Sequence, residues 1–282
     1  MAQQLVKKFA KVRSDCVINS PAAVPFRAPV IFSGAGTATP PRSAIAQSTS
    51  TDTDAGTGTD TQASQQPMFI GIGGGRGSGK EHTCRNIIDK VRQRGHTDLA
   101  SRVVHLHLDD FHHELSAADQ ALQAESREQI NFDHPESFDW DLLQSVMAQL
   151  ARGNAVQLPV WDRAEKRRTG WQTVEPRPRV VLVEGILVLF VREVRAFMDM
   201  MVFLDVDSDT RLGRQVREVM RGPQAAELKA FLDHYLYVAK PSFEEFVWPT
   251  KRWADVIIPR GDCNAVAIEL IAQRLIDLGQ EA

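Results

Sequence analysis

Cysteine is scarce in this sequence, long apolar runs are missing, and there is no surplus of positive charge. Only three cysteines occur in 282 residues, Cys16, Cys84 and Cys263, and no two form a CxxC pair. That spacing offers neither a disulfide framework nor a structural zinc site, and it fits a reduced intracellular compartment. No apolar run approaches the roughly 18 residues of a membrane-spanning helix, so no membrane partner is expected. Lys and Arg number 33 against 36 Asp and Glu, a formal net charge of −3. No broad basic field points to a nucleic-acid partner. Any site for a polyanion must be made positive locally, by a loop and a few placed cations.

What the chain does have is length and apolar content. Hydrophobic residues make up 43% of it, enough for one sizeable core. Residues 1–66 read as an extension. From Ser43 to Gln66 nearly every residue is Ser, Thr, Ala, Gly, Asp or Gln, and such a stretch buries too little apolar surface to offset its ordering entropy. Nearer the start, Lys7, Lys8, Lys11 and Arg13 sit among Leu5, Val6, Phe9 and Val12. This pattern leaves mitochondrial import open, but it lacks the Ser and Arg richness of a transit peptide. A cytoplasmic location is the expectation.

The pattern changes at Pro67, and residues 67–282 read as one domain. Short apolar runs alternate with helical stretches, which predicts βαβ units and a mainly parallel sheet of five strands flanked by helices. The expected strands are Met68–Ile72, Arg102–Leu108, Arg179–Val183, Met201–Leu204 and Ala254–Ile258. Trp140, Leu143, Met147 and Leu150 recur at helical spacing within Asp139–Arg152, and Gly153 follows as a stop. A last helix is expected from Asn264 to Leu278.

The first strand runs directly into Gly73-Gly-Gly-Arg-Gly-Ser-Gly-Lys80. The skeleton Gly74-x4-Gly79-Lys80 is that of a P-loop. Gly74, Gly75, Arg76, Gly77, Ser78 and Gly79 would turn tightly and aim backbone N–H groups at one phosphate chain. The helix starting near Lys80 adds its positive dipole end, and Lys80 brings a cation to the β and γ phosphates. The next residue should be a Ser or Thr that ligates Mg²⁺, but here it is Glu81. Its carboxylate can hold Mg²⁺, yet it also places negative charge beside phosphates. Two further acids follow apolar strands: Asp109 in Leu108-Asp-Asp-Phe111, and Glu184 in Val183-Glu-Gly185. An acid at the carboxyl end of a parallel strand faces the ligand crevice. Asp109 is a candidate base or metal ligand, and Glu184 a candidate metal or water-positioning carboxylate. Asp110 is expected to serve as a cap.

Longer strings carry a resemblance. Asn131-Phe-Asp-His-Pro-Glu-Ser-Phe-Asp139, Glu184-Gly-Ile-Leu187, Thr210-Arg-Leu212, Lys240-Pro-Ser-Phe-Glu-Glu-Phe246 and Pro249-Thr-Lys-Arg-Trp-Ala-Asp-Val-Ile-Ile-Pro-Arg-Gly261 resemble the uridine–cytidine kinases. The likeness runs from about Phe69 to Leu278. It implies a P-loop NTPase fold with a lid segment, and transfer of the γ-phosphate of ATP, with Mg²⁺, to a nucleoside 5′-hydroxyl. By resemblance Asp109 is the base, Asp133 and Arg211 contact the ribose, Glu184 belongs to the metal site, and Arg214 and Arg217 lie at the lid. Homotetramers are common in that family.

The departures fall in two places. Where the family has an aromatic-Asp-Phe segment followed three residues later by His, this chain has Trp161-Asp-Arg163 and then Lys166. Trp161 keeps a stacking face, but Lys166 can only donate. A Gln usual before the tyrosine at Tyr235 is His234. The lid pattern shrinks to Arg217-Glu-Val-Met-Arg-Gly222 and then Pro223. The ribose end therefore reads as kept and the base end as rewritten, and uridine and cytidine are expected to be poorer substrates than for close relatives. Three readings stay open: an active nucleoside kinase, a catalytically impaired nucleotide-binding relative with a regulatory role, and a small-molecule kinase for another acceptor.

Overall fold

The computed structural model describes residues 66–115, 131–163, 165–221 and 228–280. The extension over residues 1–66 therefore lies, but for Gln66, outside the described residues, as does the lid turn at Gly222 and Pro223.

Five parallel strands form the main sheet: β1 (Met68–Gly74), β2 (Val103–His107), β5 (Val180–Gly185), β6 (Met200–Asp205) and β7 (Val256–Pro259), in the order β2-β5-β1-β6-β7. All five match the strands expected from sequence, within a few residues at their ends. The central strands are covered on both faces and so read as unbroken apolar runs: every residue of β5 is buried. One face carries Phe69, Val181 and Val183 with the helix α3 (Trp140–Ala151). The other carries Ile70, Ile72 and Leu182 with α1 (Lys80–Gln93) and α7 (Ala265–Gln280). Further helices are α2 (Thr97–Ser101), α4 (Arg192–Arg195), α5 (Ser208–Arg221) and α6 (Leu228–His234), which is followed by shorter helical turns over residues 235–253.

Local chemistry fixes the helix ends. Asp139 accepts a hydrogen bond from the Leu142 N–H at 2.9 Å, capping α3, a contact of about 1 kcal/mol. At the other end Gly153, with φ 75°, donates to Leu150 O. That left-handed turn is the stop expected from sequence.

One element was not foreseen. Strands β3 (Val156–Asp162) and β4 (Arg167–Val174) form an antiparallel hairpin outside the main sheet. Its exposed strand β4 carries Arg167, Trp171 and Gln172 with little apolar alternation, so the period-2 signal is weak. A register shift at Val160/Trp161 bends the hairpin. It is pinned to the tip of β2, where the Trp161 N–H donates to Asp110 Oδ1 at 3.3 Å. Asp110 is thus no helix cap. It sits in the short 3₁₀ turn Leu108–Phe111 and ties the hairpin down.

The chain leaves β1 with β5 on one side and β6 on the other. A parallel sheet opens a crevice at the carboxyl ends of such strands. Gly74, Asp109 and Glu184 all follow or end strands at that edge.

Candidate active site

The loop 74–80 joins β1 to α1. Gly79 precedes α1 with φ 87°, and a Cβ there would lie 2.5 Å from the Asp262 carboxyl carbon. Only glycine fits that combination of left-handed backbone and close approach. Gly75 is equally enclosed, since a Cβ would lie 2.4 Å from Arg211 Nη1. Lys80 is turned back onto the Gly75 carbonyl at 3.2 Å. Burial pushes its ammonium pKa down, while Glu184 and Asp109 oppose the fall. Ser78 Oγ is buried without a hydrogen-bond partner. An unmatched hydroxyl keeps a donor that a ligand oxygen could accept.

Two arginines of α5 brace this loop. Arg211 is only 3% exposed and donates to Val206 O, Arg76 O and Ser208 Oγ, with its guanidinium 3.9 Å from the Phe243 ring centroid. Arg214 donates to Gly77 O at 3.2 Å and pairs with Asp262 at 2.9 Å. Arg217 donates to the Gly213 carbonyl of its own helix.

Beside the loop lies a cavity of about 260 Å³ that gathers Arg76, Asp109, Asp133, Trp161, Lys166 and His234. Arg163, His112 and Phe132 complete the relevant wall. Arg211 lines instead a smaller neighbouring space, which Asp133 also borders. The Asn131-Phe-Asp133 string is held in place by Asn131, which donates to Ser242 Oγ at 2.9 Å and accepts the Asp133 N–H at 3.0 Å. Trp161, Phe132 and His112 form an aromatic corner, with the Phe132 and Trp161 centroids 6.3 Å apart and His112 5.3 Å from each. Lys166 stands over Phe132 at 5.2 Å.

The charges of this cavity are cross-linked. Arg76 pairs with Asp133, at 2.5 Å from Nη2 and 2.6 Å from Nε. Asp133 raises the Arg76 pKa further, against the effect of burial. Burial alone would lift the Asp109 carboxyl, but Arg76 and Arg163 outweigh it and hold the pKa below the ordinary value. His112, protonated at the low pH where Asp109 titrates, pulls in the same direction, as does Lys80. Asp109 is therefore a carboxylate able to accept a proton. Arg163 spans two acids, 3.6 Å from Asp109 and 3.9 Å from Glu81. Glu81 also pairs with Arg85 one turn along α1. Glu184 is buried and hydrogen-bonded to His107 Nδ1 at 2.8 Å. For His107 the bond and charge of Glu184 overcome burial and raise its pKa.

A model of the Phosphoribulokinase / Uridine kinase family matches residues 69–267. The chain belongs to that family. This kinase is 40% identical over 203 residues to Uridine-cytidine kinase 2-B of Danio rerio, a match covering 71% of the present chain and 76% of the relative. It is 39% identical over 173 residues to a protein of Caenorhabditis elegans named as a uridine-cytidine kinase, covering 61% and 68%. Among solved structures, a candidate fructose transport system kinase from Silicibacter sp. TM1040 overlays with a TM-score of 0.53 at 21% identity, covering 70% of this chain and 92% of that one. That likeness concerns the fold. Among the described residues no helix of this kinase is long and apolar enough to cross a membrane.

Three participants escaped the sequence reading of this kinase. Arg76 looked like a loop residue alone, yet its side chain enters the cavity and occupies Asp133. Arg163 looked only like a lost aromatic, yet it bridges Asp109 and Glu81. His107 holds Glu184 in place. Parallel register places it opposite Glu184, which only the strand order reveals.

Proposed function

We propose that this kinase transfers the γ-phosphate of ATP to the 5′-hydroxyl of a nucleoside or nucleoside-like acceptor. The observation that carries the reading is the cavity beside the phosphate loop. It joins a carboxylate base, Asp109, to a buried carboxylate, Asp133, and an aromatic corner at Trp161. Backbone N–H groups of residues 74–80 cradle the phosphates, and Lys80 swings from the Gly75 carbonyl to the β and γ phosphates. Asp109 takes the proton of the attacking hydroxyl. Asp133 accepts from sugar hydroxyls once Arg76 lets go, with Arg211 behind it. Trp161 and Phe132 flank a planar base, and Lys166 and His234 offer it polar contacts. Arg214 and Arg217 stand at the lid side of α5.

Glu184, Asp109 and Glu81 are the carboxylates that would hold Mg²⁺, whose preference is for oxygen donors, although among the described residues their oxygens are not gathered within 4.8 Å of one another. When bound, the ion would supply positive charge that neutralises the phosphates. The present hydrogen bonds of Glu184 and ion pairs of Glu81 would have to rearrange toward it. Self-association is part of the same proposal, and Trp171, Val266 and Leu270, each more than half exposed, supply apolar surface for it.

A second reading, an acceptor that itself bears negative charge, is favoured by Arg163 and Lys166 at the base end of the cavity. The test gives purified protein ATP, Mg²⁺ and a panel of neutral nucleosides and anionic acceptors. Turnover of a nucleoside that falls about 10²- to 10⁴-fold in Asp109→Asn supports the proposal. A preference for anionic acceptors selects the second reading. ATP binding without turnover on any acceptor refutes both and marks a non-catalytic relative.

A further inference from the structure

Alternate residues of a strand share a face. On β2 this puts His105 and His107 on the face that meets α1, and the parallel register sets Glu184 opposite His107. One nitrogen of each imidazole and a Glu184 oxygen lie within 4.8 Å of one another. The two rings are 4.1 Å apart between centroids. A hydrogen bond that steadies Glu184 explains His107. It does not explain His105, whose Nε2 is buried and has no hydrogen-bond partner among the described residues. An unmatched buried ring nitrogen costs about 1–3 kcal/mol. A valine at this strand position would carry no such cost.

We propose that His105, His107 and Glu184 bind a divalent d-block cation of the zinc type. Two imidazole nitrogens and one carboxylate oxygen suit Zn²⁺, Co²⁺, Ni²⁺ or Fe²⁺ and leave coordination positions open. Mg²⁺ prefers oxygen ligands and is poorly matched to this set. Metal–ligand distances of about 2.0–2.2 Å place ligand atoms about 3.3 Å apart in a tetrahedral site. The imidazoles therefore close in by side-chain rotation, and the His107–Glu184 contact opens slightly. The ion then gives the His105 ring a partner. It also holds the carboxylate proposed above for Mg²⁺, so occupation would oppose Mg²⁺-dependent turnover. Only that consequence rests on the role proposed for Glu184.

The experiment titrates Co²⁺ into the full chain, freed of metal by a chelator and carrying Cys263→Ser to remove the exposed thiol. The result expected is a visible absorption band of four- or five-coordinate cobalt at one equivalent, displaced by Zn²⁺. His105→Val, outside the proposed phosphoryl-transfer machinery, should weaken Co²⁺ binding at least tenfold while circular dichroism and ATP binding are kept. If His105→Val does not fold, His105→Leu is read in the same way. No cobalt band in the parent protein, or an unchanged band in the folded variants, overturns the proposal. The readout contains no kinase step, so failure of the nucleoside reading would leave it intact.

Discussion

Replacing Arg76 by alanine separates the two ways of using the acceptor cavity. Arg76 holds Asp133 at 2.5 Å, and the two side chains are 37% and 6% exposed. Breaking a fully buried pair costs about 3–5 kcal/mol, whereas an exposed pair is worth about 0–1 kcal/mol. One buried and one partly solvated partner place this pair between, at about 2 kcal/mol after solvent screening. For a domain of this size that lowers Tm by roughly 4–8 °C. The same pair must open before Asp133 can accept sugar hydroxyls. Removing Arg76 removes that competition, and about 2 kcal/mol corresponds to a KM for a neutral nucleoside lowered by up to ~30-fold. Steady-state kinetics with a neutral nucleoside, alongside thermal melting, reads both quantities. A KM that rises tenfold or more would refute the reasoning. It would make Arg76 a substrate ligand, as the anionic-acceptor reading requires.

Further expectations concern the neighbouring charges. Glu81→Ser removes a carboxylate that Arg85 and Arg163 only partly neutralise; at about 1 kcal/mol of screened repulsion, the KM for Mg·ATP should fall roughly fivefold. Lost turnover instead would make Glu81 a working metal ligand. Arg163→Phe combined with Lys166→His should raise kcat/KM for uridine, because it frees Asp109 from a cation 3.6 Å away and restores an acceptor at the base end; no gain would sink the account of the rewritten base site. His112 is buried against Phe138 with its pKa held below 6.5. The native protein therefore takes up its proton at lower pH than the unfolded chain. The contribution of neutral His112 is complete above pH 6.5 and shrinks as pH falls through that window. Denaturant unfolding at pH 7.5 and 5.5 should show a smaller loss in His112→Asn than in the parent.

The glycine-rich loop, the five strands and the strand-end acids were legible in the sequence because each has a short-range cause. Glycines mark backbone that must turn, apolar runs mark strands covered on both faces, and an acid after such a run lands at the crevice. Asp139 and Gly153 marked the ends of α3 for the same reason. The hairpin β3–β4 was not legible, since its stability comes from docking on the tip of β2 through Asp110 and Trp161, and its outer strand carries no clear alternation. The pairing of side chains across the site was equally hidden. Arg76 and Asp133 are 57 residues apart, His107 and Glu184 77. Sequence alone determined that Gly74 to Lys80 forms a glycine-rich turn between a strand and a helix, beside two carboxylates, because the loop and strand signals are local. Only the tertiary structure decided which cation each carboxylate holds, because that depends on strand order and on where the hairpin comes to rest.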